Sequence, residues 1–241
     1  MKATDSITFQ KNGGVLIALS IITLWLVAMV LSLTSVQFSF SSPFTYLLII
    51  INTHLYTGLF ITAHDAMHGT VSPNKSLNSF IGKMCAILFA FNHYNKLRTA
   101  HYKHHTDVAT EGDPDYYNGN FFVWYFHFLK NYISWWQILL MAITFNLLKL
   151  IFPANNVIFF WMLPSILSTF QLFYFGTYLP HRGEHKANNR HKSRSLKKNH
   201  LLAFLSCYFF GYHYEHHDSP ATPWWLLYKK KEEYQNKGVS Y

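Results

Sequence analysis

Three short histidine runs have the spacing with which one face of a helix can bind a metal ion. They are HDAMH (residues 64–68), HYKHH (residues 101–105) and HYEHH (residues 213–217). Residues three and four positions apart share a helix face, and neutral imidazole is the commonest metal ligand in proteins. The sequence therefore predicts a metal centre built from three distant parts of the chain. The predicted ligands are His64, His68, His101, His104, His105, His213, His216 and His217.

The number of these histidines predicts more than one ion. Eight imidazoles exceed the four to six ligands of a single metal ion, so two ions are expected. His181, between Pro180 and Gly183 directly after an apolar stretch, is the predicted ninth ligand. Metal-bound histidines often donate their second N–H to a carboxylate. The carboxylates near the runs that suit this role are Asp65, Asp107, Asp113, Asp115, Glu215 and Asp218.

The composition predicts an integral membrane protein. Charged residues make up 13% of the chain and hydrophobic ones 50%, whereas soluble domains carry about 25% charged residues. No Asp, Glu, Lys or Arg occurs in residues 12–63, which leaves room for two crossings of about 20 residues each. Because the distant histidine runs must meet, we expect a single all-α domain over residues 1–241, with a polar lead at 1–11 and a basic surface tail at 226–241.

Hydropathy along the chain indicates four transmembrane helices. The segments long enough to cross are residues 14–33, 44–63, 131–148 and 157–176. A kink is expected at Pro164 in the last of them. Residues 79–97 contain polar side chains and residues 201–212 are too few, so both are expected to be re-entrant or interfacial. The aromatic residues 120–130 suit an interfacial amphipathic helix.

Four crossings would place the histidine runs and His181 on one side of the membrane. Of the 20 Lys and Arg residues, Lys149 alone lies in the loops of the other side. Because basic residues collect in cytoplasmic loops, we expect a cytoplasmic, histidine-rich cap in a bacterial inner or thylakoid-type membrane. The same rule explains the net charge of +9 without a nucleic-acid partner.

The ligand type leaves the metal open, and the setting favours iron. Imidazole binds iron, zinc, copper and nickel. The chain lacks both the ExxH pairs of carboxylate-bridged di-iron bundles and the HExxH of zinc proteases. A centre at the membrane surface suits a lipid-soluble substrate. The inert C–H bonds of such a substrate need activated dioxygen, which zinc cannot supply, so we expect two Fe²⁺ ions with O2 as co-substrate.

Longer strings around these histidines resemble one enzyme family. They are HDAMHGTVSP (64–73), HHTDVATEGDPD (104–115), FGTYLPHRG (175–183) and YHYEHHDSPATPWW (212–225). They are similar to the bacterial and cyanobacterial-type β-carotene ketolases, within the membrane fatty acid desaturase and hydroxylase superfamily. The resemblance runs from the second predicted helix to Trp225, which is most of the chain.

The resemblance implies a di-iron, dioxygen-dependent enzyme that oxidises C4 of a β-ionone ring. Two hydroxylations of the ring methylene and loss of water would give a ketone, converting β-carotene to echinenone and then to canthaxanthin. The eight box histidines carry over as iron ligands, and His181 matches an additional histidine of related membrane oxygenases. Some related hydroxylases have Asn four residues before that histidine, where this chain has Thr177.

We expect the carotenoid to enter from the bilayer and the electrons to come from a ferredoxin or a reductase. A basic cytoplasmic face with Lys192, Arg194, Lys197 and Lys198 suits an acidic electron carrier. A fatty-acyl desaturase or hydroxylase on the same metal site is the main alternative. A histidine-rich metal transporter is a further one, although transport would need polar residues near the bilayer midplane.

Overall fold

A computed structural model describes the chain from residue 3 to residue 239. Within those residues all regular structure is helical and no strand forms, which confirms the predicted all-α class. The helices are α1 (Ala3–Thr34), α2 (Pro43–Met67), α3 (Lys75–Ala90), α4 (Tyr94–Thr106), α5 (Phe121–Tyr132), α6 (Trp135–Lys149), α7 (Ala154–His181), α8 (His200–Cys207), α9 (His213–Asp218) and α10 (Leu227–Asn236). A 3-10 turn, Trp224–Leu226, precedes α10.

Three helices of the described chain are long and apolar enough to cross a membrane. They are Gly13–Thr34 of α1, the whole of α2 and the whole of α7, in agreement with the predicted membrane protein. The third predicted crossing, at residues 131–148, corresponds to α6, which has 15 residues. At about 1.5 Å per residue it spans about 22 Å, less than a hydrocarbon core of about 30 Å. A fourth crossing therefore stays a prediction.

The segments predicted to be interfacial or re-entrant form short helices. Residues 79–97 are not one element, because α3 ends before Phe91, whose φ of 53° is left-handed, and α4 begins three residues later. The predicted helix at 120–130 is confirmed as α5, where the Asn120 side chain accepts a hydrogen bond from the Val123 N–H. α8 has eight residues and ends at a left-handed Tyr208. How these helices meet the bilayer stays a prediction.

The chain divides into two compact units. The first contains the residues up to His93 together with Ser134–Thr169, and the second contains Tyr94–Ile133 together with the residues from Phe170 onward. α7 is continuous and contributes its first part to one unit and its last part to the other. The expectation of a single domain stays a prediction.

Within the first unit, α7 is irregular where the sequence predicted a kink. Pro164 has no N–H to donate to the carbonyl of Phe160 four residues earlier, and a π turn, Val157–Met162, precedes it. The Phe160 carbonyl accepts a hydrogen bond of 3.2 Å from Nδ2 of Asn52, which also lies 3.1 Å from Oγ of Ser32. Because lipid offers no hydrogen bonds, backbone groups freed in a spanning helix need such partners.

A second buried side-chain amide, that of Asn156, hydrogen-bonds to the carbonyls at the end of α1. Nδ2 of Asn156 donates to the carbonyl oxygens of Ser32, Leu33 and Val36 at 3.1, 3.3 and 2.6 Å. These carbonyls lie in the last turn of α1 or just after it. Carbonyls at the end of a helix have no N–H partner within the helix. Asn156 is 2% exposed, so water does not replace its amide there.

We expect Asn156→Ala to destabilise the folded protein by about 1–3 kcal/mol, because buried carbonyls would lose their donor. The free energy of unfolding in detergent, followed by circular dichroism against denaturant, measures this change. Asn146→Ala is the matched control, since its Nδ2 donates only to the carbonyl of Ala142 in its own exposed turn. Equal stability of the two variants would contradict the assigned role of Asn156.

Candidate metal centre

Four histidines of the second unit meet through their ring nitrogens. His104 comes from α4, His181 from the end of α7, and His213 and His217 from α9. Nε2 of His217 lies 3.1 Å from Nε2 of His104 and 2.9 Å from Nε2 of His213, which in turn lies 2.9 Å from Nε2 of His181. All four ligand atoms lie within 4.8 Å of one another. The side chains are buried, so water is excluded from this cluster.

The second nitrogen of two of these rings shows which nitrogen carries the proton. Nδ1 of His181 lies 2.8 Å from the carbonyl oxygen of Lys192, which can only accept, so this nitrogen donates. Nδ1 of His104 faces both oxygens of Asp113, at 2.9 and 3.0 Å. In neutral rings of this tautomer Nε2 carries a lone pair. The Nε2 atoms of His104 and His181 thus bring lone pairs to the cluster of four rings, so the residues suit a metal ion.

The local charges also favour a cation. Burial opposes a charge on His104, but the carboxylates of Asp115 and Asp113 raise the pKa of its imidazole. Burial and the neighbouring ring of His213 hold the pKa of His217 well below its ordinary value, so this ring stays neutral. Asp113 is fixed by N–H groups of Ala109 and Asp115, at 2.8 and 2.9 Å. A positive charge beside His104 would offset the buried carboxylates.

The remaining box histidines lie in two places. His101, His105 and His216 adjoin one another in the second unit, where Nε2 of His105 is 3.1 Å from Nε2 of His216. The ring of His101 is centred 4.5 Å from that of His105 and 5.9 Å from that of His216. His64 and His68, at the end of α2 in the first unit, have ring centres 5.0 Å apart. The assignment of nine histidines to two ions stays a prediction.

The six candidate carboxylates have different partners. Asp113 binds His104, as described above, and Asp65 lies 3.5 Å from Nδ1 of His64. Asp107 is only half-buried. Asp115 accepts a hydrogen bond from the hydroxyl of Tyr132, and burial raises the pKa of its carboxyl to about 6. Asp115 therefore adjoins Asp113 without binding a ring of the cluster.

Glu215 and Asp218 face away from the metal cluster. Glu215 accepts from Oγ of Ser195 and lies 3.2 Å from Nζ of Lys231, while Asp218 accepts from the hydroxyl of Tyr234. Asp218 also binds Arg190 and His191. These two carboxylates thus join α9 to other elements of the second unit.

The C-terminal segment corrects one expectation. Residues 226–241 were expected to form a surface tail, but α10 buries Leu227, Lys231 and Tyr234. Their spacing of four and three residues marks one helix face, a pattern that the run of charges KKKEE conceals. Sequence reasoning also missed Ser195, Tyr132 and the carbonyl of Lys192, because a hydroxyl or a backbone oxygen carries no ligand-type spacing.

Close contacts between segments set the positions of the ligands. A side chain at Gly176, in the second π turn of α7 (Tyr174–Tyr178), would overlap the ring of Phe210. That ring is centred 5.1 Å from the ring of His213 and 5.5 Å from that of His216. The loop between α7 and α8 contacts the segments on both sides of it. The Arg194 N–H donates to the carbonyl of Pro180, next to His181, and the Leu196 N–H donates to that of Gly211, just before α9.

Comparisons with known proteins place the chain among relatives with named activities. The family model described as "Fatty acid desaturase" matches the chain twice, at residues 41–149 and 121–240. A zeaxanthin 4-ketolase of Chlamydomonas reinhardtii is 38% identical over 91% of this chain and 53% of its own length. A β-carotene 4-ketolase of Haematococcus lacustris is 40% identical over 72% of this chain and 58% of its own. A β-carotene ketolase of a Paracoccus species is 41% identical over 73% and 74%.

These relatives confirm the resemblance to β-carotene ketolases that the sequence shows. The chain spans between half and three fifths of the length of the two algal relatives. No solved structure matches the chain.

Asp113→Asn should weaken metal binding about 10-fold, because a neutral amide supports the His104 imidazole less well than a carboxylate. Iron content per chain, measured by mass spectrometry after dialysis against a weak chelator, follows the change. Asp107→Asn is the control with the same chemical change, since Asp107 is half-buried and binds none of the four clustered rings. A loss of iron that is as large in the control would refute the specific role of Asp113.

Proposed function

This chain belongs to the fatty acid desaturase family, and we propose that within it the protein is a carotenoid 4-ketolase. The observation that supports this proposal most is the cluster of four buried imidazoles, in a chain about 40% identical to named β-carotene ketolases. A desaturase domain on its own would also suit acyl chains. The names of the relatives favour a β-ionone ring as the substrate over an acyl chain.

The proposed reaction converts a ring methylene, C4, into a ketone. In each of two successive hydroxylations, one atom of O2 enters a C–H bond and the other leaves as water, with two electrons and two protons consumed. The resulting geminal diol loses water. β-Carotene would thus give echinenone after one ring is oxidised and canthaxanthin after both.

The proposed cofactor is a pair of iron ions. Iron, when bound, would supply the activation of O2 that oxidation of an inert C–H bond requires. His104, His181, His213 and His217 would hold one ion through Nε2. All nine predicted histidines together are proposed as the ligands of the two ions, as the sequence predicts. Asp113 and the Lys192 carbonyl keep two of the rings in the tautomer that binds metal.

The membrane placement supports a carotenoid. α1, α2 and α7 are suited to the bilayer, where a C40 hydrocarbon dissolves. The substrate would therefore arrive laterally, and a soluble carrier would not be needed. We place the histidine boxes on the cytoplasmic side, on the distribution of Lys and Arg along the sequence.

Expression in bacteria that accumulate β-carotene tests this function directly. Chromatography and mass spectrometry of the pigments should show echinenone or canthaxanthin. His217→Ala should abolish both products, because a ligand of the buried cluster is lost, whereas His93→Ala should retain them, since His93 is exposed and outside the boxes. Unchanged β-carotene with modified acyl chains would favour the fatty-acyl alternative instead.

The electron donor is proposed to be an acidic ferredoxin or a reductase. Of the predicted docking residues, Arg194 donates to the carbonyls of Arg182 and Glu184, so it stabilises its own loop. Lys197 and Lys198 are exposed and suit an acidic partner, although Nζ of Lys198 also lies 3.4 Å from Oε1 of Glu232. A basic patch of this kind raises the rate of encounter, more than the rate of the chemical step.

Replacing Lys197 and Lys198 together by Gln should raise the KM for reduced ferredoxin several-fold and leave kcat unchanged. Turnover measured at rising salt should show a weaker dependence in this variant, because fewer charges are screened. Lys149→Gln is the control, since Lys149 lies in a loop predicted to face the other side of the membrane. Unaltered KM in the double variant would remove these lysines from the docking surface.

A further inference from the structure

A buried lysine of the C-terminal helix pairs with a carboxylate inside the third histidine box. Lys231 of α10 is 4% exposed and Glu215 of α9 is 0% exposed. Nζ of Lys231 lies 3.2 Å from Oε1 of Glu215 and 5.3 Å from the ring centre of Tyr212. Lysine and glutamate are almost never fully buried unless they are paired. The burial of these two side chains therefore depends on their pairing with each other.

The other oxygen of Glu215 is also bound. Oε2 accepts a hydrogen bond from Oγ of Ser195, and this hydroxyl accepts one of 3.0 Å from the N–H of Tyr214. The carboxylate is thus held from two directions, by α10 and by the loop that follows α7. Such a doubly bound side chain fixes the position of the backbone that carries it.

Glu215 lies on the face of α9 opposite to the metal ligands. His213, His216 and His217 have the three- and four-residue spacing of one helix face, whereas Glu215 is two residues from His213 and points away. One turn later, Asp218 accepts a hydrogen bond from the hydroxyl of Tyr234, also in α10. α10 therefore contacts α9 at two points three residues apart on each helix.

We propose that α10 positions the third histidine box: Lys231 on Glu215 and Tyr234 on Asp218 fix the rotation of α9 about its axis, so that its histidines face the metal. Lys231 and Tyr234 are positioning residues, because they act on the histidines of α9 through Glu215 and Asp218. α9 has only six residues, too few for a helix to hold its own orientation. The inference rests on the metal centre of the proposed function and is independent of the substrate.

Metal titration of variants tests the inference. Protein purified in detergent and stripped with a chelator is titrated anaerobically with Fe²⁺, and with Co²⁺, whose visible absorption reports ligand geometry. Lys231→Met should weaken binding on the order of 10-fold and alter the Co²⁺ spectrum. Lys231→Arg keeps the charge and should restore most of both. Lys229→Met, on the exposed side of the same helix, should match the unchanged protein.

A double-mutant cycle shows whether the two residues act as a pair. Glu215→Gln alone should weaken binding as Lys231→Met does, and the double variant should bind no more weakly than either single variant. Additive losses would overturn the proposal, as would an unchanged affinity and Co²⁺ spectrum in Lys231→Met. Circular dichroism of the metal-free proteins verifies that each variant folds.

Tyr234→Phe keeps the proposal testable if Lys231→Met does not fold. It removes one hydroxyl while retaining the ring, and it should weaken metal binding by a smaller factor than expected for Lys231→Met. Wild-type affinity in a folded Tyr234→Phe protein would then overturn the inference. Because no carotenoid is involved, failure of the unchanged protein to bind metal refutes the proposed function, whereas equal binding by protein and variants refutes this inference alone.

Discussion

Four imidazole nitrogens converge in a place from which water is excluded, and this arrangement suits a cation. His104 and His181 donate their Nδ1 protons to Asp113 and to the Lys192 carbonyl, so their Nε2 atoms can only accept within the cluster. A metal ion, or protons on the Nε2 atoms of His213 and His217, would satisfy these acceptors. Metal binding would stabilise the fold of the second unit, since a cation that binds the assembled site favours the fold that assembles it. The predicted ligands come from α4, α7 and α9, so one cation would link three segments.

The membrane imposes a similar rule on the first unit. Lipid accepts and donates no hydrogen bonds, so each backbone group released from a helix must find a partner in the protein. α7 contains Pro164 and a π turn, and the side-chain amide of Asn52 binds the Phe160 carbonyl at this irregularity. Asn156 binds the carbonyls at the end of α1 in the same manner. Asn52 and Asn156, polar residues within otherwise apolar helices, therefore bind backbone groups that the helices leave unpaired.

Much of this arrangement could be predicted from the sequence, because it depends on local spacing. The HxxHH runs place imidazoles on one helix face wherever the helix lies, and charge-free segments of 20 residues predict spanning helices. The sequence is less informative where the result depends on other parts of the chain. Residues 131–148 have the composition of a crossing, and Ser134 caps a helix of 15 residues there, so a crossing at α6 stays a prediction. Lys231 lies in a run of charges, and only its contact with Glu215 reveals a buried face. Which carboxylate binds His104 could not be chosen among six candidates, because loop geometry decides it.

Membership of the desaturase family does not by itself decide the product, since desaturation and ketone formation can begin with the same step. Both start with removal of hydrogen from an inert C–H bond. A second hydrogen taken from the neighbouring carbon gives an alkene, whereas a ketone needs oxygen delivered twice to one carbon. The difference therefore lies in how firmly the substrate is held between the two oxidations and which carbon faces the metal. A ring joined to a rigid polyene can return the same methylene to the site more reliably than a flexible acyl chain can. In the proposed reaction the ligands must keep their orientation through two oxidations of one carbon, and the contacts of α10 with the six-residue α9 would maintain it.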